Sequence, residues 1–130
     1  MTVEEFVNNY ENKKVDFDGV YGAQCVDLFR QYVKEVLNIK EHTGAVAGAK
    51  DLYNNFDKMP LMQKNFSKVF GARKGDIAIF GNGQFGHVGI VLFASRKNLV
   101  LFEQDGFNQS KGAYIGIHNY DNVLGFLRRK

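Results

Sequence analysis

The chain has 130 residues, 45% hydrophobic and 14% aromatic, which is enough for one domain with a real core and too apolar for disorder. A single cysteine excludes an internal disulfide, and no apolar run is long enough for a transmembrane helix. The net charge of +3, with a pI near 9.0, suits an anionic partner such as nucleic acid or a teichoic-acid-bearing wall.

The first residues, Met1 to Glu5, are acidic and lack the apolar stretch of a signal peptide. Thr2 followed three residues later by Glu5 is a capping box, so a helix of about two turns is expected from Thr2 to Asn9, with Phe6, Val7 and Tyr10 making a short apolar face. Cys25, Leu28, Phe29, Tyr32, Val33, Val36 and Leu37 form one stripe of 3.6-residue period, which predicts the main helix over Gln24 to Leu37. Ala45 to Phe56 predicts a second helix, interrupted by Gly48, and Leu61 to Phe70 has no firm period. The second half changes character. Strands are expected over Asp76 to Phe80, His87 to Ala94, Leu99 to Gln104, Tyr114 to His118 and Val123 to Arg128, with Ala94 to Asn98 as a hairpin connection. Helices first and strands second predict an α+β fold, N-terminal helices packed on a C-terminal antiparallel sheet.

The stretch Asp16 to Asp27 carries the densest chemistry. Cys25 stands in the first turn of the main helix, where unpaired N–H groups and the helix dipole favour a thiolate. A plain alternative is that Cys25 is the first buried residue of the apolar stripe. The loop before it has oxygens at calcium-loop spacing. With Asp16 as position 1, Asp18 is 3, Val20 is 5, Gly22 is 7 and Asp27 is 12, with Val20 and Gly22 offering backbone carbonyls. Tyr21 stands where an EF-hand needs glycine, and no good helix precedes the loop, so this is not an EF-hand. A solvated turn at Asp18-Gly19 is the competing reading.

Of the three histidines, His87 opens a strong strand after the glycine-rich stretch Gly81 to Gly86. Glu103 ends the following strand. If the two strands are antiparallel neighbours, Glu103 lies near His87 and can hold one ring nitrogen, freeing the other as a base toward a thiol. His42 is expected on a loop surface and His118 as a polar residue at a strand end.

Gly22-Ala23-Gln24-Cys25-Val26-Asp27-Leu28, Lys74 to Phe80, Gly86 to Val91, Phe102-Glu103-Gln104-Asp105-Gly106 and Gly125 to Arg128, taken as an ordered set, resemble the CHAP family of cysteine, histidine-dependent amidohydrolases/peptidases, in the form found in phage endolysins. The resemblance covers the chain from about residue 3 to its end, as a single catalytic domain over 1–130, either whole or the catalytic part of a longer protein. It implies a papain-like α+β fold and cleavage of an amide bond in Gram-positive peptidoglycan, by either an endopeptidase or an N-acetylmuramoyl-L-alanine amidase. It carries the nucleophile onto Cys25, the general base onto His87 and the orienting acid onto Glu103, and it puts Asp105 where many members have an asparagine. It also implies a structural calcium ion held by Asp16, Asp18, Asp27 and the carbonyls of Val20 and Gly22. The expected protein is a monomer, bound to neither nucleic acid nor membrane, made in the host cytoplasm and acting on the wall during lysis or from a phage particle. Two other functions compete: a non-catalytic, calcium-dependent wall-binding module, and a basic nucleic-acid binder, which the scattered lysines disfavour.

Overall fold

A computed structural model describes residues 1–19, 22, 24–105 and 111–130. Helix α1 (Val3–Tyr10) starts with the expected capping box: Oγ1 of Thr2 accepts from the Glu5 N–H at 3.1 Å, and Oε1 of Glu5 accepts from the Thr2 N–H at 3.0 Å. Helix α2 (Cys25–Glu35) buries Leu28, Phe29, Tyr32 and Val33, the middle of the predicted stripe. It stops two residues short of Leu37, because Asn38 turns into the left-handed region at φ 57°.

Ala45 to Phe56 is mostly not helical, which corrects the expectation for that segment. Only α3 (Asp51–Asn54) is helical there, followed by a 3₁₀ turn over Phe56–Lys58. The reason is a tertiary contact. The Lys50 N–H donates to the Phe85 carbonyl at 3.0 Å, and a Cβ on Gly48 would lie only 2.6 Å from that carbonyl oxygen. The backbone at residues 48–50 is thus pressed against the loop before His87. The stretch without a firm period divides into α4 (Pro60–Asn65), with Pro60 in its first turn, and strand β1 (Phe66–Val69).

The remaining strands are β2 (Ile77–Phe80), β3 (His87–Ala94), β4 (Leu99–Glu103), β5 (Tyr114–His118) and β6 (Val123–Arg129). They form one six-stranded sheet in the order β1-β6-β2-β3-β4-β5, with every pair antiparallel. β3 and β4 are joined by the expected hairpin, closed by the Ser95 N–H on the Asn98 carbonyl at 2.8 Å. The last strand, β6, is inserted between β1 and β2, where Arg128 grips Asp76 through two hydrogen bonds of 2.8 and 2.7 Å.

The helices cover one face of the sheet. There Phe6, Phe29 and Tyr32 pack with Ile77, Ile79, Val88, Ile90 and Phe102. The alternate residues Ala78, Phe80, Val91, Leu99 and Leu101 make a second, smaller cluster on the other face. On that face the rings of Phe80 on β2 and His118 on β5 are 5.4 Å apart. In a flat sheet, three strand spacings would separate those positions by about 14 Å. The sheet therefore coils strongly toward this face. Among the described residues, no helix is long and apolar enough to cross a membrane.

Candidate active site

Cys25 is the first residue of α2, half-buried and free. At this first turn the Asp27 and Leu28 N–H groups donate to the Gln24 carbonyl at 3.1 and 3.4 Å, and the helix dipole points its positive end at the thiol. Gln24 and Asp27 shape that turn, the Gln24 N–H donating to Oδ2 of Asp27 at 3.1 Å. The imidazole of His87, at the start of β3, is in hydrogen-bond contact with Cys25. Its Nε2 lies 2.6 Å from Oε1 of Glu103. A carboxylate accepts, so Nε2 carries the hydrogen and Nδ1 is the nitrogen left for the thiol.

The three side chains thus form a chain from thiol to imidazole to carboxylate. The sheet register makes it possible: Glu103 pairs with Gly89 across β3–β4, so His87 is the next residue on the same face. Burial opposes protonation of His87. The hydrogen bonds to Cys25 and Glu103, with the negative charge of both, more than offset this and raise its pKa to about 10. That favours a protonated imidazole beside the Cys25 sulfur.

Asp105, two residues beyond Glu103, lines the same cleft, which measures about 610 Å³ and is walled by residues 24–27, 45–49 and 85–87. The wall at 45–49 is held by Gly48 against Phe85 and by Arg30, whose guanidinium donates to the Gly44 carbonyl at 2.9 Å.

The three carboxylates of the predicted metal loop come together. One oxygen from each of Asp16, Asp18 and Asp27 lies within 4.8 Å of the other two, the only such group of histidines, cysteines and carboxylates among the described residues. Asp27 is 4% exposed. Its pKa is pushed up to about 6 by burial and by the charges of Asp18 and Asp16, against the Gln24 hydrogen bond and Arg30. Gly22 belongs to the same loop and adopts φ 75°. Val20 lies outside the described residues.

Two residues that matter here do not stand out in the sequence. Gln104 is 1% exposed and has three hydrogen bonds: its Oε1 accepts from the Val15 N–H at 2.9 Å, and its Nε2 donates to the Val15 and Gln24 carbonyls, both at 2.7 Å. It ties the start of the acidic loop and the cap of α2 to the end of β4. His118 is not merely a polar strand end, as expected from sequence: its Nε2 lies 2.6 Å from Oε2 of Glu103. A signal was available for His118. In Tyr114 to His118 the apolar Ile115 and Ile117 alternate with Gly116 and His118, which puts His118 on one face with Gly116. His42 is on the exposed loop surface, as expected, its Nδ1 accepting from the Gly44 N–H.

Comparison with known proteins bears on this geometry. The chain is 30% identical over 137 aligned residues to endolysin PlyTW of Staphylococcus phage Twort, an alignment covering 96% of this chain and 29% of that protein. Its fold is similar to the crystal structure of the wild-type endolysin LysIME-EF1, with a TM-score of 0.67, 24% identity and coverage of 98% of this chain and 64% of the other. A crystal structure of Ly7917 with the hydrolyzing product of MDP gives a TM-score of 0.67 at 17% identity, covering 99% of this chain and 63% of that one. The chain thus spans less than a third of the curated relative and just under two thirds of these solved chains. The structural likenesses agree with a papain-like α+β fold. The CHAP domain family matches residues 14–105, which contain the acidic loop, Cys25, His87, Glu103 and Asp105. This chain belongs to the CHAP domain family.

Proposed function

We propose that the chain is a cysteine hydrolase of phage origin that cleaves an amide bond in the peptidoglycan of Gram-positive walls. One observation carries the reading: a helix-start thiol, an imidazole and a buried carboxylate are linked in series at a cleft. Membership of the CHAP family and the likeness to endolysin PlyTW support it.

In the reaction, His87 holds the proton of Cys25, and the thiolate attacks the carbonyl carbon of the scissile amide, forming a C–S bond. The oxyanion that develops lies near the first-turn N–H groups of α2, including that of Cys25. His87 gives its proton to the leaving amine as the C–N bond breaks. Water then attacks the thioester, His87 takes a proton from it, and the thiol is regenerated. Glu103 keeps the imidazole in the tautomer with Nδ1 toward sulfur. Asp105, at the cleft wall, is assigned an orienting role toward His87 or the substrate.

Asp16, Asp18 and Asp27 are the residues that would hold a calcium ion, with the carbonyls of Gly22 and Val20 as further oxygens. Three clustered carboxylates, one of them buried, fit a hard cation with oxygen ligands. When bound it would supply structural charge compensation, fixing the loop that leads into Cys25.

The test is digestion of purified Gram-positive peptidoglycan, with and without a calcium chelator, against Cys25→Ala as blank, with released fragments read by mass spectrometry. The expected result is fragments from the wild type alone. Their masses separate an amidase, which frees stem peptide from the glycan, from an endopeptidase, which cuts within stem or cross-bridge. A folded, calcium-supplemented protein that releases nothing from walls of several cross-bridge types would overturn the hydrolase reading.

A further inference from the structure

Glu103 is 1% exposed, and a buried carboxylate is costly unless its oxygens are occupied. His87 occupies only Oε1. Oε2 is taken by Nε2 of His118, at the same 2.6 Å. The two imidazoles are 6.3 Å apart between ring centroids, and Phe80 packs near both, at 5.8 and 5.4 Å.

The sequence around His118 is built for this contact. Across β4–β5, Glu103 pairs with Tyr114, Leu101 with Gly116 and Leu99 with His118. To reach His118, the Glu103 side chain must pass over Gly116. A Cβ at Gly116 would overlap Oε2 of Glu103 and lie 3.0 Å from its Cδ. Gly116 does not have the left-handed backbone that would by itself explain a glycine, as Gly112 at φ 70° does. Its missing side chain is the space the carboxylate fills. Tyr114, the other neighbour of Glu103 on β5, has its pKa pushed up to about 12 by burial and by the charges of Glu103 and Asp105. No metal explains the cluster: the only group with metal-ligand spacing among the described residues is Asp16, Asp18 and Asp27.

We propose that His118 is a positioning residue of the active site: its Nε2–H pins Oε2 of Glu103 above Gly116, so that Oε1 faces Nε2 of His87 and Nδ1 of His87 faces Cys25. The proposal rests on the hydrolase reading for its catalytic consequence, but not for the hydrogen-bond frame itself. Without His118, a carboxylate fixed at one oxygen is free to rotate about its last torsion and to release the His87 ring. The loss falls on the chemical step, because His118 does not line the substrate cleft.

The experiment compares wild type, His118→Gln, His118→Asn and His118→Leu. Glutamine places an amide N–H near the position of Nε2, whereas asparagine is too short to reach it. Two readouts are taken: kcat and KM on a soluble wall fragment, and the ¹⁵N and ring-proton NMR signals of His87. His118→Leu and His118→Asn are expected to lower kcat by about ten- to a hundredfold with KM unchanged, the range seen when a supporting hydrogen bond behind an active group is lost. His118→Gln restores most of kcat. In the Leu and Asn variants the His87 Nε2–H signal exchange-broadens or disappears. Wild-type kcat in folded His118→Asn together with an unchanged His87 signal overturns the proposal. If wild type cuts no wall, the hydrolase reading falls, and the NMR comparison alone then decides: loss of the His87 signal upholds the frame and an unchanged signal overturns it. If His118→Leu does not fold, the Gln and Asn pair still gives both readouts.

Discussion

Nε2 of His87 and Oε1 of Glu103 lie 2.6 Å apart, and the carboxylate is almost wholly sealed from water. A charged acceptor at that distance sets the tautomer of the ring, and an amide in its place can set it wrongly by presenting its NH₂ group. Glu103→Gln is therefore expected to reduce kcat/KM by about two to four orders of magnitude, as loss of the carboxylate behind a catalytic histidine does elsewhere. Steady-state turnover of a wall fragment checks this, with thermal unfolding to confirm that the variant is folded.

The His87 pKa is raised from 6.5 to about 10 in the folded protein. A raised folded value contributes stability that is fully present below the unfolded value and is lost as pH rises through the folded one. Wild type should therefore lose melting temperature between about pH 6.5 and pH 10. His87→Gln should lack that part of the slope. Melts of both proteins at half-unit pH steps give the difference directly, and parallel curves would contradict the raised pKa.

Asp27 is buried beside two other carboxylates, which is unfavourable at neutral pH without a cation. Added calcium is expected to raise the melting temperature at pH 7.5, by an amount that grows with its concentration. Asp27→Asn removes one charge from the cluster. It should melt higher than wild type in chelator and gain little from calcium. Isothermal titration of calcium into both proteins measures the same effect without reference to activity, and equal binding by the two would contradict the assignment of Asp27.

Gln104 has three hydrogen bonds at 1% exposure. Gln104→Leu leaves the Val15 amide and the carbonyls of Val15 and Gln24 without this partner. Destabilisation of about 2–4 kcal/mol is expected, at roughly 1 kcal/mol per hydrogen bond plus the cost of unsatisfied buried groups. Because Gln104 joins the acidic loop to the cap of α2, the variant should also bind calcium more weakly. Urea unfolding in chelator and in calcium separates the two effects.

Much of this site is legible along the chain. The stripe from Cys25 to Val33 puts the thiol at a helix start, since a 3.6-residue period and the first-turn N–H groups are local properties. Strands β2 to β6 show in their apolar composition and turn residues, and the short β3–β4 connection requires antiparallel neighbours, which brings Glu103 beside His87. The acidic spacing from Asp16 to Asp27 brings three carboxylates within reach because a single loop carries them all.

Other features were decided only in three dimensions. Residues 45–56 have helical spacing, yet most of them stay out of a helix because Gly48 and Lys50 are held against Phe85, a contact no local pattern encodes. β1 is hidden in a stretch without period and is a strand because β6 pairs with it from the far end of the chain. His118 meets Glu103 because the sheet coils and Gly116 leaves room, and Gln104 points into the molecule because both Val15 and Gln24 need its amide. Sequence periodicity reports which face of its own element a residue occupies; which residues from other elements meet it there depends on register, sheet coiling and the hydrogen-bonding needs of buried backbone, and these exist only once the chain has folded.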